Sequence, residues 1–172
     1  MTKTEYRLNA WGSLPIRIAI GVVFIAHGGQ KVFGVWGGQG LKDTMQAFHQ
    51  FLGIPPWLGF TASFVELLGG IALIIGVLTR LAAIGLTVNM VVATLRVHWP
   101  NGFFLNWMPS SHPNLGHGIE YNVAILGGTI ALIVLGGGKL SIDWLFRRGR
   151  EPATAAPPEK AAVPGPSGGS TP

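Results

Sequence analysis

Several ionisable side chains sit in stretches of this sequence that are otherwise built for lipid. Glu66 lies near the middle of the apolar run FTASFVELLGGIALIIG. A lone charge at that depth costs roughly 2.5–3.5 kcal/mol on insertion scales unless it is paired or neutral. A carboxyl group held there has two uses, accepting a proton or balancing a cation. The cations stand upstream, where Arg17, His27 and Lys31 interrupt LPIRIAIGVVFIAHGGQKVFG. With a rise of about 1.5 Å per residue, His27 lies about 5 Å outward of that run's midpoint and Lys31 about 10 Å. By depth, either one is a partner for Glu66. Arg17 belongs deeper on the opposite side, beside Arg80.

Arg17, His27, Lys31, Glu66 and Arg80 therefore form a candidate intramembrane polar site. Lys31, His27 and Arg80 would offer hydrogen bonds or positive charge, and Glu66 or Glu120 would take up protons. Arg96, His98 and Glu120 form a second candidate group at the outer end, with Arg96 and Glu120 placed to pair. Two readings stay open for the buried charges. They are structural ion pairs that set helix register, or they line a polar pocket for a ligand or a proton route, the default reading for ionisable groups in a membrane.

The elements that must position these groups are transmembrane helices. The 172 residues are 48% hydrophobic and only 11% charged, against about 25% charged in an ordinary globular domain. A span needs about 20 mostly apolar residues to cross a hydrocarbon core of roughly 30 Å. Four stretches meet that need: 14–34, 57–78, 81–99 and 120–138. The second opens after Pro55-Pro56, the third stops at Pro100 and the fourth ends in three glycines. Only Thr79 and Arg80 part the second from the third, which predicts a tight antiparallel hairpin. The first reads as a retained helix, because the charges in it and the bulky residue after Ala26 do not suit a cleaved signal. The fold class is thus an all-α four-helix membrane bundle over 14–150, after a cytoplasmic segment 1–13.

Orientation follows from the basic residues. Nine of the twelve Lys and Arg fall on the side that holds both termini and the tight hairpin. The positive-inside rule then puts both termini in the cytoplasm. In the first outer segment, Leu41, Met45, Phe48 and Leu52 recur at helical spacing opposite Lys42, Gln46, His49 and Gln50. That pattern predicts a short helix lying in the interface plane. The second outer segment carries His98, His112 and His117 among tryptophans, prolines and asparagines. The tail 151–172 is alanine, proline, glycine and serine, a composition expected to stay disordered.

Small residues flank the charges. Gly59, Ser63 and Gly70 share a face with Glu66, and Gly21, Phe24 and Gly28 share one with Arg17 and Lys31. Such stripes let helices approach closely. Gly85, Asn89, Ala93 and Arg96 share a face of the third span, and Glu120, Ala124, Gly127, Ala131 and Gly138 share one of the fourth.

Other chemistries are excluded or disfavoured. No cysteine is present, so this chain offers no thiol chemistry and no ligand for an iron–sulfur cluster. His27 and His98 lie about 9 Å apart in depth by helix rise, too far to share a haem. His98, His112, His117 and Glu120 lack tight metal-ligand spacing, and no metal site is expected. No basic stripe on a soluble face suggests nucleic acid, and no glycine-rich fingerprint suggests a flavin or nicotinamide.

Taken together, Arg17-x₉-His27-Gly28-x-x-Lys31, FVELLGG with GVLTR, MVVA with VHWPNGFF, then Gly118-x-Glu120-Tyr121 and GGGKLSID follow one another in an order that resembles the DoxX family. The resemblance runs from Arg17 to Asp143; the closing Gly136-Gly137-Gly138 departs from the family's usual glycine-proline-glycine. It implies a small bacterial inner-membrane protein related to the membrane subunit of a thiosulfate:quinone oxidoreductase. A role as subunit or anchor of a redox complex follows, in oxidative-stress or sulfur-compound metabolism. The chain is then not a self-sufficient enzyme. Its partners would be the lipid bilayer, a soluble or membrane redox protein, and a quinone as the one cofactor. Two other classes stay open, a small transporter for a proton or metabolite and a structural assembly factor. A quinone site needs a lateral opening near one interface, a transporter needs a route to both faces, and an assembly factor needs a filled interior.

Overall fold

The computed structural model describes residues 11–107 and 116–148. Of these, 78% are helical and none is in a strand. Helix α1 (Leu14–Phe33) starts with Pro15 in its first turn, where a missing N–H costs nothing, and ends at Gly34 in the left-handed conformation. Helix α2 (Leu41–Leu52) is the amphipathic segment, and α3 (Pro56–Ile75) follows at once. Helix α4 (Thr79–Ala93) runs on through a π-helical turn, Thr94–His98, and a 3₁₀ turn, Trp99–Asn101. Helices α5 (Glu120–Leu135) and α6 (Ile142–Arg148) complete the described chain.

Three helices are long and apolar enough to cross a membrane: α1, α3, and α4 with its two added turns. Helix α5 is equally apolar but has 16 residues. Their outward faces carry Ile18, Val22, Leu68, Leu81, Val88, Val123, Ile130 and Val134, all exposed. Side chains of that kind belong against lipid tails. The buried core is a smaller cluster of Ile20, Phe24, Leu73, Ala83, Leu86, Ile125 and Leu132.

The helix ends differ from expectation in two places. The turn between α3 and α4 is Gly76-Val77-Leu78, and Thr79 and Arg80 are already helical, because Gly76 (φ 77°) takes the left-handed conformation that ends α3. The fourth helix stops at Leu135, three residues short of Gly138, where Gly136 adopts φ 72°. Its buried face is Asn122, Ile125, Thr129 and Leu132. Nothing would touch a Cβ on Gly127 within 4 Å, so the expected small-residue stripe of this helix looks outward.

Helices α1, α3, α4 and α5 pack in a ring. The α1–α3 seam is the most extensive, and glycine makes it so. A Cβ on Gly70 would lie 2.8 Å from the Gly21 carbonyl oxygen, and one on Gly28 would lie 2.7 Å from Leu67 Cα. Close backbone contact of this kind replaces the hydrophobic drive that lipid cannot supply. The amphipathic α2 rests on α3, with Phe48 over Gly59. Contact between α1 and α5 is sparser and includes Ile16 and Ile20 against Gly128.

Residues 1–10, 108–115 and 149–172 lie outside the described residues. His112 and the tail from Glu151 fall there.

Candidate functional site

The polar side chains divide between two ends of the bundle. At the hairpin end, Arg17 is 1% exposed. Its guanidinium donates to four backbone carbonyls: Leu73 and Ile74 at 2.7 Å, Gly137 and Leu140 at 2.8 Å. Leu73 and Ile74 belong to the last turn of α3, whose carbonyls have no helical partner and form the negative end of the helix dipole. One buried cation therefore closes α3 and ties down the segment after α5. Asp143 grips the same hairpin from the other direction. Its carboxylate accepts from the N–H groups of Leu78 (2.7 Å) and Thr79 (2.8 Å), and its own N–H donates to Gly76.

This geometry removes Arg17 from the neighbourhood of His27, Lys31 and Glu66. Arg80 is also apart from them. It is exposed and donates to the Val134 carbonyl at 3.0 Å. Asp143 was not singled out from sequence, although its place in the closing GGGKLSID motif marked the segment.

Toward the loop end, where α1 stops and α3 begins, Lys31 donates to both carboxylate oxygens of Glu66. The close seam at Gly28 and Leu67 brings these two side chains together one turn farther on. The Lys31 side chain is 28% exposed and that of Glu66 is 9% exposed. Asn89 of α4 adds a third contact, its Nδ2 donating to Glu66 Oε1 at 2.8 Å. The pair so formed is held by three helices.

A cavity of about 390 Å³ opens beside it. Phe24, His27 and Lys31 line it from α1, Met90 and His98 from the α4 side, and Tyr121 and Asn122 from α5. Leu105, Asn106, Trp107 and His117 of the connecting segment form its roof. His98 Nδ1 meets the His117 carbonyl at 2.9 Å, which fixes the ring. Asn122 donates to Thr94 Oγ1 at 3.1 Å. The His27 ring, the Tyr121 hydroxyl and the His98 Nε2 have no partner among the described residues, and they remain available to a ligand. His27 and Tyr121 are also exposed, so the cavity reaches the surface between α1 and α5. The two helices touch near Ile20 and Gly128, and the cleft lies beyond that contact.

The Arg96–Glu120 pairing does not form. Glu120 Oε2 accepts the Leu105 N–H at 3.1 Å, while Arg96 lines a different face beside Ile54 and Val92. The backbone amide satisfies Glu120 locally, and among the described residues Arg96 has no hydrogen-bond or ion-pair partner. Only His98 of that trio joins the cavity. Among the described residues no three His, Asp or Glu side chains converge on a metal position.

Residues 12–99 match the family model described as DoxX. A Bacillus subtilis protein named "Putative oxidoreductase CatD" is 24% identical over 140 residues, covering 81% of this chain and 90% of its own. The inner membrane protein YqjF of Escherichia coli is 28% identical over 147 residues, 83% of this chain and 97% of that one. The membrane protein Rv3486 of Mycobacterium tuberculosis is 31% identical over 147 residues, 81% and 82% of the two chains. No solved structure matches the chain.

Proposed function

This chain belongs to the DoxX family of membrane proteins, and we propose that it is the membrane subunit of a redox complex whose cavity takes a quinone headgroup. The observation that carries this reading is the cavity itself, with the His27 ring, the His98 Nε2 and the Tyr121 hydroxyl unpartnered among the described residues, beside the Lys31–Glu66 pair and a lateral mouth between α1 and α5. A quinone presents two carbonyl oxygens that accept hydrogen bonds, and its apolar tail would leave through that mouth into lipid. The volume of about 390 Å³ falls in the usual range for small-ligand sites, roughly 300–1,000 Å³. Reduction to the quinol takes two electrons and two protons. Electrons would come from a redox partner protein. His27 and the Lys31–Glu66 pair stand where protons would be handed over. The name carried by the Bacillus relative supports a redox setting.

In this reading α5 is the fourth crossing, and both termini face the bacterial cytoplasm. The ring closure of α5 against α4 and α1 supports the first point, and the bias of basic residues supports the second. A permeation role is less well supported. Leu73, Thr79, Leu132 and Thr129 are fully buried and fill the interior toward the Arg17 clamp, so the cavity has no continuation to that end.

The test is photolabelling of membranes with a short-tailed, photoactivatable benzoquinone, followed by mass spectrometry of peptides. Labelling should concentrate on residues 24–31 and 117–122, fall when excess unlabelled quinone is added, and drop in Lys31→Met. Uniform labelling of outward helix faces that no competitor reduces would overturn the proposal.

A further inference from the structure

On the side of the bundle away from the α1–α5 mouth, α3 and α4 leave a long furrow. Its upper part, about 400 Å³, holds Arg96, Val92, Asn89 and Leu58, and its lower part, about 560 Å³, holds Leu68, Ala72 and Leu81. Thr61, Val65 and Gly85 line both parts, so the furrow is continuous. Gly85 deepens it at the join, since a Cβ there would already approach Val65 to 3.3 Å. We propose that this furrow binds an anionic phospholipid, with the phosphate on Arg96 and one acyl chain along Val92, Val88, Gly85 and Leu81.

Three observations support that occupant. Arg96 is exposed and has neither a carboxylate nor a carbonyl partner among the described residues, and no acidic side chain lines the furrow. The cation also stands at headgroup depth. Trp99, one turn beyond it, and Trp57, at the start of α3, are 62% and 64% exposed, and exposed tryptophans mark the membrane interface. The length fits as well. From Val92 to Leu81 the helix rises about 16 Å, close to one leaflet of a hydrocarbon core of roughly 30 Å. The walls below Arg96 are mostly valine, leucine, phenylalanine, alanine and glycine, with Thr61 and Asn89 the polar exceptions, and such a surface suits a lipid tail. A bare cation at the top of an apolar slot one leaflet long is complementary to a phosphate carrying an acyl chain.

This inference is independent of the quinone reading, because the furrow and the cavity lie on opposite sides of Glu66 and Asn89. The full chain in mild detergent would be titrated with dioleoyl phosphatidylglycerol and, separately, dioleoyl phosphatidylcholine, with bound lipid counted by native mass spectrometry. One phosphatidylglycerol should bind about fivefold more tightly than phosphatidylcholine, the advantage of one interfacial cation. Arg96→Gln should abolish that preference and Arg96→Lys should keep most of it. Val88→Trp, which fills the furrow without touching Arg96, should weaken both lipids. Lys42→Gln, on the exposed face of α2, should change nothing. Equal affinity for the two lipids, an equal loss in Lys42→Gln, or a second copy of the chain in place of lipid would overturn the proposal.

Discussion

Asn89 and Glu66 are joined across the α3–α4 seam by a 2.8 Å hydrogen bond from Nδ2 to Oε1, on the carboxylate that Lys31 holds from α1. Three helices therefore meet at one buried charge. This junction separates the lateral cavity on one side from the α3–α4 furrow on the other.

Glu66→Gln should destabilise the protein by about 3 kcal/mol, the low end for a broken buried pair, because the Lys31 ammonium reaches the cavity. Adding Lys31→Met removes the stranded cation and should recover more than half of that loss. Thermal unfolding in detergent measures both. If the double variant is no more stable than the single, the pair is not what the carboxylate is held for.

Asn89→Leu should cost about 1.5–3 kcal/mol, the worth of one hydrogen bond to a charged group. The same unfolding measurement checks it. A loss below about 0.5 kcal/mol would mean that Lys31 alone satisfies the carboxylate.

Arg17→Lys should be nearly as damaging as Arg17→Met. An ammonium is a compact point charge that lacks the planar fork needed to reach four carbonyls on two segments. Each hydrogen bond to a charged group is worth about 1.5–3 kcal/mol, so both variants should lose most of their folded yield. Asp143→Asn should be milder, about 1 kcal/mol, typical of a weakened helix cap. Full stability in Arg17→Lys would show that charge alone, without the fork, closes α3.

Gly28→Leu should separate α1 from α3, since even a Cβ there would lie 2.7 Å from Leu67 Cα. Overpacking costs about 1–3 kcal/mol, and the separation should also break the Lys31–Glu66 pair one turn away. Glu66→Gln made in this background should then add little further loss. Additive losses would place the strain elsewhere.

Sidedness is checked by single cysteines in this otherwise cysteine-free chain. Gln39→Cys should react with an impermeant maleimide in intact cells, and Ser167→Cys only after the membrane is opened. The reverse pattern would invert the orientation.

The three long helices and the amphipathic α2 were legible in the sequence, whereas the hairpin turn was read three residues late, at Thr79-Arg80 instead of Gly76-Val77-Leu78. Transfer into lipid is a local property, set by each residue and its near neighbours, but the residue at which a helix ends depends on what caps it, here the Arg17 and Asp143 contacts. The placement of Glu66 beside Lys31 was half legible. Depth along the helices and the glycine stripes narrowed the partner to Lys31 or His27, and only the packed α1–α3 seam decided it. The rest depended on pairs of groups far apart in the chain. The hydrogen-bond acceptors of Arg17 are backbone carbonyls, two of them on the Gly137–Leu140 segment, and a carbonyl carries no side-chain signature that spacing could announce. The expected Arg96–Glu120 pair was plausible by charge and depth, but a backbone N–H of Leu105 lay closer to the carboxylate. The buried face of α5 was not legible for a related reason. This helix is apolar all round, and with no amphipathic contrast only contact with α4 and α1 selects which side turns inward. Hydropathy and spacing act one residue at a time, whereas a hydrogen-bond partner or a buried face is a property of two surfaces that meet only after the bundle has formed.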